Sequence, residues 1–494
     1  MASQKGKQAS AKELAQDPGA YLDAVLAQGI RAKTDDAKQR GTELISTLLG
    51  QLTEGMAIRP GFSKSVNEHI VAIDKALSDQ LNVIMHHPEF QKLEASWRGL
   101  QQFVKGTETG ENMKIQVLDV SKRELLRDFQ SATEFTESAL WKKVYSGGIA
   151  QPGADPFGFL IGDFEFDKGS MDMELLTHIS QVAAGSHAPF LTSAGPGMFG
   201  WESFTEMPDP RDLAKIFDKT NPENTKWLSF RDSEDSRYVG MCLPHVLGRL
   251  PYGPDNEVDQ FDFREDVDGE EHDKYLWCNA AYAMGGRITD AFAKTHWCTA
   301  INGYEGGGLV EGLPIHKFRS RAGDMGSKCP TEVLIPDDRS KEMEDLGFIP
   351  LVSYKHTDQA VFFHAGSAQR AKKYQDADAT ANATLSAKLP YLFAVSRIAH
   401  YLKAICRDKV GSFMSRGDVE TYLNQWISNY VLLNDEASHE QKARYPLREA
   451  RIEVVEDKAK PGVYSAVAHL RPHFQLEGLK MSLRLVANLP ARKG

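Results

Sequence analysis

Apolar residues between positions 66 and 100 recur at helical spacing. They step by three and four positions, which predicts two amphipathic helices. The apolar positions of the first are Val66, Ile70, Ile73, Leu77, Leu81 and Ile84, and those of the second are Phe90, Leu93, Trp97 and Leu100. Pro88 separates the two helices, because the residue before a proline avoids the helical conformation. Residues 113–120 are predicted as a strand, and Ser121 with Glu124 forms a capping box that begins the next helix.

The middle of the chain alternates between strand and helix patterns. Residues 157–163 and 189–192 are predicted as strands on either side of a helix, which favours a parallel pair with a right-handed crossover. Residues 238–243 are predicted as a third strand. The further predicted elements are a helix at 275–292, a strand at 331–335, a helical stretch at 379–406 interrupted near Pro390, and a helix at 419–433.

Three short runs near the end of the chain alternate apolar and polar residues, which is typical of a half-buried sheet. They are residues 451–456, 463–471 and 480–486. A small sheet has two open edges, and an open edge can pair with a strand from another chain. The alternative is a terminal sheet that packs only on its own domain.

Composition narrows the class of protein. A chain of 494 residues is long enough for about two to four folding units. Its net charge of −10 argues against general nucleic-acid affinity, and no run approaches the ~18 apolar residues that span a bilayer. Five cysteines without a C-x-x-C pair indicate buried free thiols in a reducing compartment, and no secretory signal precedes them. We therefore expect a cytoplasmic protein.

Residues 1–60 differ from the rest of the chain. Tyr21 is their only aromatic residue, and short amphipathic runs flank a polar linker. Such a segment cannot bury much apolar surface by itself. It is predicted to be either a mobile arm or a piece that becomes ordered on a partner.

Several residue clusters resemble sites of chemistry, but a structural interpretation is favoured for each. Asp163, Glu165 and Asp167 alternate after a strand and are suited to a metal or to acid and base catalysis, yet no convergent His or Lys is evident. Residues 193–197 and 303–308 are glycine-rich but lack the spacing of phosphate-binding loops. The acidic run 255–273 fails the EF-hand pattern and is predicted to be a charged surface loop. No catalytic residue, cofactor site or metal site is predicted.

Longer sequence segments resemble the large subunit of the type VI secretion contractile sheath (the TssC/VipB family). They run in order from about residue 60 to 490 and are unusual enough to exclude chance. They are residues 86–94 with 97–100, 230–238, 248–253, 305–308 with 311–314, 328–333, 408–413, 446–450, 470–473 and 482–486. Cys278 departs from the pattern, where glycine is expected.

The resemblance implies a structural protein without enzymatic activity or cofactor. It implies a heterodimer with a small sheath subunit, stacked with copies of itself as a six-start helical tube around an inner tube of hexameric rings. Contraction would drive the inner tube and its spike into a target cell. Baseplate proteins would anchor the sheath in the cytoplasm, and an AAA+ disaggregase would recycle it. Neither nucleic acid binding nor membrane insertion is implied.

Two sets of contact residues follow as hypotheses. Strand pairing between subunits is assigned to Arg451, Val454, Val463, Val467, Leu483 and Leu485. Contact with the inner tube is assigned to Glu440, Lys442, Arg444, Arg448 and Glu449. Exposed ion pairs are individually weak, at ~0–1 kcal/mol. Many repeated pairs would together hold the inner tube in register, and each could still break during contraction.

The expected fold is a multi-domain α/β (mixed α+β) sheath fold, with central βαβ units and a C-terminal antiparallel sheet completed by neighbouring subunits. The predicted divisions are an assembly arm at 1–60, a region contacting the small subunit at 61–150, a central α/β domain at 151–375 and a tail-sheath-like domain at 376–494. Two alternatives remain open at this point. One is a phage-like tail sheath that acts alone, and the other is a nucleotide- or metal-dependent α/β enzyme using Asp163 or Asp167.

Overall fold

A computed structural model describes residues 62–208, 212–258, 261, 263–269, 271–319, 325–409, 416–434, 436–456 and 464–473. The predicted arm at 1–60 and the third predicted C-terminal strand at 480–486 lie outside the described residues. The chain divides into two compact units between Asp79 and Gln80. Every element from Pro88 onward belongs to the second unit.

The helices of the described residues agree with most of the predicted ones. They are α1 (Phe62–Met85), α2 (Pro88–Lys105), α3 (Lys122–Ser131), α4 (Ala139–Trp141), which continues as a π-helix (Lys142–Ile149), α5 (Ser170–Ser186), α6 (Thr225–Asp232), α7 (Ala280–Thr295), α8 (Asp337–Asp345), α9 (Ala377–Ser386), α10 (Leu389–Lys409), α11 (Arg416–Ser428) and α12 (His439–Arg444). The predicted breaks at Pro88 and near Pro390 are confirmed, since each proline lies in the first turn of a helix.

A parallel four-stranded sheet forms the centre of the second unit. Its strands are β1 (Leu160–Phe166), β2 (Phe190–Ala194), β3 (Val239–Leu243) and β9 (Ile349–Pro350), and they are hydrogen-bonded in that order. Helix α5 connects β1 to β2, so the predicted βαβ unit is confirmed. Every residue of β2 and β3 is buried, as expected for a parallel sheet covered on both faces.

Successive residues of the central strands contribute to two different hydrophobic cores. Phe190 and Met241 belong to a core with helix α5, whereas Leu191 and Cys242 belong to a core with helix α7 and the start of α10. Gly240 permits the close approach of α10, because a Cβ atom there would lie 3.1 Å from Leu389 Cδ1. The sheet is therefore the middle layer of a three-layer α/β structure.

Outside the central sheet and the C-terminal hairpin, the described strands are short and pair in separate small sheets. They are β4 (Val246–Leu247) with β5 (Trp277–Cys278), β6 (Leu309–Val310) with β11 (Ala360–Val361) and β10 (Val352–Ser353), and β7 (Lys317–Arg319) with β8 (Met325–Ser327). Because residues 277–278 pair as a strand, the helix predicted at 275–292 begins later, at Ala280.

Two predicted strands are wrong. In residues 331–335 only Thr331 forms a bridge, to Val246, and helix α8 begins soon afterwards, at Asp337. Residues 113–120 are without helix or strand assignment, and no described strand pairs with them.

A third core underlies the C-terminal hairpin, which consists of β12 (Leu447–Glu456) and β13 (Tyr464–Pro472). Ile452 and Val454 of β12 pack there against Leu423 and Ile427 of α11. Helix α10 contributes to two cores, since its first turns pack under the central sheet and its later turns pack under the hairpin. The predicted closing strands at 451–456 and 463–471 are thus present as an antiparallel pair.

Candidate functional site

The C-terminal hairpin presents one apolar and one polar face. Ile452 is fully buried and Val454 is 1% exposed, whereas Val467 on the neighbouring strand is 45% exposed. Arg451 points to solvent and forms an ion pair with Glu453 at 3.1 Å. The other residues assigned to strand pairing, Val463, Leu483 and Leu485, lie outside the described residues.

The outer edge of β12 is closed by side chains of helix α11. The Asn424 amide accepts a hydrogen bond from Ile452 N–H at 2.9 Å and donates one to Ile452 C=O at 2.7 Å. One turn earlier on the helix, Glu420 Oε2 accepts a hydrogen bond from Val454 N–H at 3.2 Å. These two side chains take the place of a neighbouring strand, so the backbone groups they occupy cannot pair with another chain.

The opposite edge of the hairpin belongs to β13. Residues 452 and 454 direct their N–H groups to α11, so the alternation of an antiparallel ladder directs the N–H groups of residues 466, 468 and 470 away from β12. Among the described residues this sheet has two strands, and no third strand covers that edge. The sequence predicts two open edges, and side chains of α11 close much of the β12 edge.

The residues assigned to inner-tube contact lie on α12 and on β12. Glu440 and Arg444 form an i,i+4 pair at 2.8 Å with both side chains more than half exposed. Glu449 is paired across the strands with Arg471 at 3.4 Å. Lys442 lies on α12 and Arg448 near the start of β12, close in sequence to these pairs. The structure thus places the set on adjoining segments with alternating charge.

Helix α2 has its apolar stripe on the outside. Leu93 is 56% exposed and Trp97 is 65% exposed. The opposite side of the helix faces the protein. There Glu94 accepts a hydrogen bond from Arg249 Nε at 2.7 Å, and Phe103 is buried. A row of large apolar side chains left exposed on a helix is suited to a protein partner.

The acidic run 255–273 is in large part the charged surface loop that was predicted, since most of its described acidic residues are exposed. Glu265 lies in that acidic run, yet its side chain is 2% exposed and forms an ion pair with Arg249 at 2.6 Å. Burial disfavours the charge on Arg249, but the hydrogen bonds that Arg249 donates to Glu94 and Glu265 outweigh this effect and raise the pKa of Arg249. Burial likewise acts against ionisation of Glu94, and Arg249 and Arg98 reverse this and lower its pKa.

A second ionic cluster closes the carboxyl edge of the central sheet. His245 Nδ1 lies 2.6 Å from Glu332 Oε2, and His245 Nε2 lies 3.0 Å from Glu165 Oε1. His272 Nε2 contacts the other oxygen of Glu332 at 2.9 Å. Glu332 is almost completely buried, whereas the Glu165 side chain is 56% exposed, so the Glu332 contact is the stronger of the two for His245.

The electrostatics of this cluster favour a charged histidine. Burial lowers the pKa of His245, but hydrogen bonds to Glu165 and Glu332 reverse this and raise it to about 10. Burial raises the pKa of Glu332, and hydrogen bonds from His245 and His272 overcome this and lower it to about 2. The cluster joins the end of β1 to three loops, which is a structural role at the edge where α/β enzymes bind ligands.

The alternative enzyme site was placed at Asp163 or Asp167 beside the 193–197 turn, and the structure brings one of these two residues to that turn. Asp167 lies against the turn after β2, where a Cβ atom added at Gly195 or Gly197 would be 2.6 Å and 2.7 Å from Asp167 Oδ1. Burial raises the pKa of this carboxyl group. Across the described ranges no group of three or more His, Cys, Asp or Glu is arranged to hold a metal ion. In the same ranges no helix is both long and apolar enough to cross a membrane.

Comparison with known proteins identifies the family of this chain. Residues 67–369 match the family described as EvpB/VC_A0108, tail sheath N-terminal domain, and residues 378–489 match the EvpB/VC_A0108 tail sheath gpW/gp25-like domain. The chain belongs to the VipB/EvpB tail sheath family. It is also 45% identical over 476 residues to the type VI secretion system sheath protein TssC1 of Pseudomonas aeruginosa, and the alignment covers 95% of both chains.

A solved structure gives a weaker similarity. A chain of the anti-feeding prophage (AFP) baseplate, determined by cryo-EM with 6-fold symmetrisation, matches 64% of this tail sheath protein and 66% of its own length. The TM-score is 0.35 at 10% identity. Family membership therefore rests on the sequence matches.

The side-chain contacts described above for the VipB/EvpB protein were only partly evident in its sequence. Asn424 and Glu420 were missed, although their i,i+4 spacing on a predicted helix just before a strand is a usable signal. His245 was missed as the partner of Glu165, because 80 residues separate the two. Asp163 and Asp167 were identified as candidates, and the structure brings only Asp167 to the 193–197 turn.

The His245 cluster predicts a pH dependence of stability. Because the folded-state pKa of His245 is raised from 6.5 to about 10, its stabilisation is fully present below pH 6.5 and is lost as the pH rises towards 10. Glu332, whose pKa is lowered from 4.5, adds stabilisation that is lost as the pH falls below 4.5. We expect His245→Gln to lower the free energy of unfolding by about 2 kcal/mol at pH 6 and by less at pH 9.5.

Urea denaturation at both pH values measures this effect. His439→Gln, at an exposed histidine, is the matched control and should leave the midpoint unchanged at either pH. A loss of stability in His245→Gln that is equal at pH 6 and pH 9.5 would contradict the assignment.

Proposed function

We propose that this tail sheath protein is the large subunit of a type VI secretion contractile sheath. It forms a heterodimer with a small sheath subunit, and the heterodimers stack as a six-start helical tube in the cytoplasm. The tube encloses an inner tube of hexameric rings, rests on baseplate proteins and is recycled after contraction by an AAA+ disaggregase. The protein has no catalytic activity and needs no cofactor. The single observation that carries the proposal is the full-length match to the sheath family.

Subunits are joined by strands that add to the C-terminal hairpin. The β13 edge is the one suited to this role, because Asn424 and Glu420 occupy the β12 edge. Main-chain hydrogen bonds make such a junction strong, and they do not require a fixed orientation of the flanking domains. Neighbouring subunits can therefore rotate as rigid bodies during contraction while the shared sheet stays intact.

The small subunit docks on the outward apolar stripe of α2. Leu93 and Trp97 are the most exposed members of that stripe. Large exposed apolar side chains on a well-packed helix are a cost to a lone subunit in water and a source of affinity in a complex.

Purification with and without the small subunit tests the overall proposal. Co-expression should give tubes visible by negative-stain microscopy, and the large subunit alone should give none. Tubes formed by this chain alone would instead support a phage-like sheath. Compact particles whose melting temperature rises on addition of a nucleotide or a divalent metal would support the enzyme alternative and refute the sheath proposal.

The α2 interface is tested by replacing its two exposed apolar residues. Leu93→Ser with Trp97→Ser should weaken binding of the small subunit by at least tenfold, because each side chain contributes about 1–2 kcal/mol or more when buried in an interface. Met171→Ser is the control, since Met171 is similarly exposed, at 61%, on α5. Unchanged co-purification of the small subunit with the double variant would exclude this stripe as its docking site.

The inner-tube contact is tested by charge reversal. Arg444→Glu with Arg448→Glu should give sheaths that assemble but enclose at least tenfold fewer inner tubes, because several weak ionic contacts per subunit are reversed at once. Arg123→Glu with Arg127→Glu reverses the same charge at exposed i,i+4 positions of α3 and should have no effect. Normal filling of the tube by the 444/448 variant, counted by electron microscopy, would remove the assignment.

A further inference from the structure

Two histidines meet where the end of helix α5 contacts the middle of helix α10. His187 follows the last residue of α5 and His400 lies on α10, and their ring centroids are 6.1 Å apart. His400 is only 5% exposed. Its Nε2 donates a hydrogen bond to the Ser186 carbonyl at 2.8 Å, and because a carbonyl only accepts, the proton of the neutral ring lies on Nε2. The contact therefore holds His400 in one tautomer, with Nδ1 unprotonated.

The unprotonated nitrogen of His400 faces a region that lacks an acceptor for a further proton. Within the part of the chain that the structure describes, His400 Nδ1 is buried and has no hydrogen-bond partner. Arg397, almost one turn earlier on α10, likewise has a buried Nε without an acceptor in the described ranges. A proton added to His400 Nδ1 would therefore create a buried N–H donor without a hydrogen bond, which is unfavourable.

The charges around the two rings also oppose a protonated histidine. The charged side chains that act on His400 are Arg397 and Lys403 of its own helix, and Lys403 acts on His187 as well. All of them are cations. Among the described residues no carboxylate forms an ion pair with either ring, so the charge of an imidazolium at this contact would not be neutralised.

The other elements that pack against the pair contribute neutral hydroxyl groups. The Tyr238 hydroxyl, from the segment before β3, lies 3.2 Å from His187 Nδ1. On the π-helix, the Tyr145 hydroxyl accepts a hydrogen bond from Lys403 Nζ at 2.6 Å. These phenols satisfy the polar groups of a neutral pair and supply no negative charge.

The pKa values of both histidines are lowered accordingly. Burial is the main cause for His187, and Lys403 adds to it. Burial is also the main cause for His400; the Ser186 carbonyl favours the charged ring but does not compensate, and the pKa of His400 falls from 6.5 to about 4. Because these values lie below those of the open chain, the neutral pair stabilises the contact above pH 6.5, and this stabilisation is lost as the pH falls towards 4.

We propose that the contact between α5 and α10 is an acid-sensitive joint, which opens when His400 or His187 takes up a proton. Opening brings the protonated ring into water, where its charge is solvated. The first turns of α10 pack on the core beneath the central sheet and its later turns on the core of the hairpin. An open joint therefore loosens the connection between these two cores. This inference goes beyond the proposed sheath function and does not depend on it.

Hydrogen exchange on the full-length chain at pH 7.5 and pH 5, corrected for the intrinsic rate at each pH, tests the joint. The amides of residues 182–187 and 396–403 should open on the order of 30-fold more often at pH 5, because a histidine pKa of 6.5 in the open form against about 4 in the closed form favours opening by that factor. Strand β2, all of whose residues are buried, is the internal control and should change much less.

Two variants assign the effect to the histidines. His400→Gln keeps an N–H donor that can reach the Ser186 carbonyl but does not titrate, so it should reduce the rise to threefold or less. His187→Asn suits the left-handed backbone at this position, where φ is 52°, and should also reduce the rise, which keeps the test decisive if His400→Gln fails to fold. His439→Gln, at an exposed histidine, is the control and should retain the wild-type rise.

Three results would overturn the proposal. One is equal protection of residues 182–187 and 396–403 at the two pH values in the wild-type chain. Another is a rise in both histidine variants that is as large as in the wild type. The third is an equal rise in β2, since the whole chain and not this joint would then open in acid.

Discussion

The need of strand backbones for hydrogen-bond partners is the constraint on which this molecule is built. Where the protein can satisfy that need internally it does so, as in the central parallel sheet and at the outer edge of β12, where Asn424 and Glu420 replace a strand. At β13 and at residues 113–120, the described part of the chain leaves an extended backbone without a strand neighbour.

Buried ion pairs complement that constraint by fixing loops that carry little hydrophobic contact. Arg249 connects α2 to the acidic run through Glu94 and Glu265, and His245 connects the end of β1 to Glu332. Buried pairs give little net stability, because desolvation offsets much of the attraction, but they specify one arrangement, since a misplaced charge is costly. The carboxyl edge of the sheet, where a related architecture would bind a ligand, is occupied by such a pair.

Local patterns were enough to predict the βαβ unit, the helix breaks at Pro88 and Pro390, and the C-terminal hairpin, because each depends on periodicity or on proline geometry. Other features depend on residues distant in the chain. The contact between Arg249 and Glu94 is one of them, because 155 residues separate the two and no helical periodicity contains that information. The alternating side-chain pattern of residues 113–120 predicts a strand. A strand also needs a hydrogen-bonded neighbour, and the pattern of one segment does not show whether a neighbour is present.

Helix α10 has a mechanical consequence. Its 21 residues pack at one end beneath the central sheet and at the other end beneath the hairpin. One continuous helix of roughly 30 Å therefore connects the two cores. A force applied to the hairpin by an adjoining subunit would be transmitted along this helix, not through a flexible linker. The stroke of one subunit would then reach the next with little lost to internal bending.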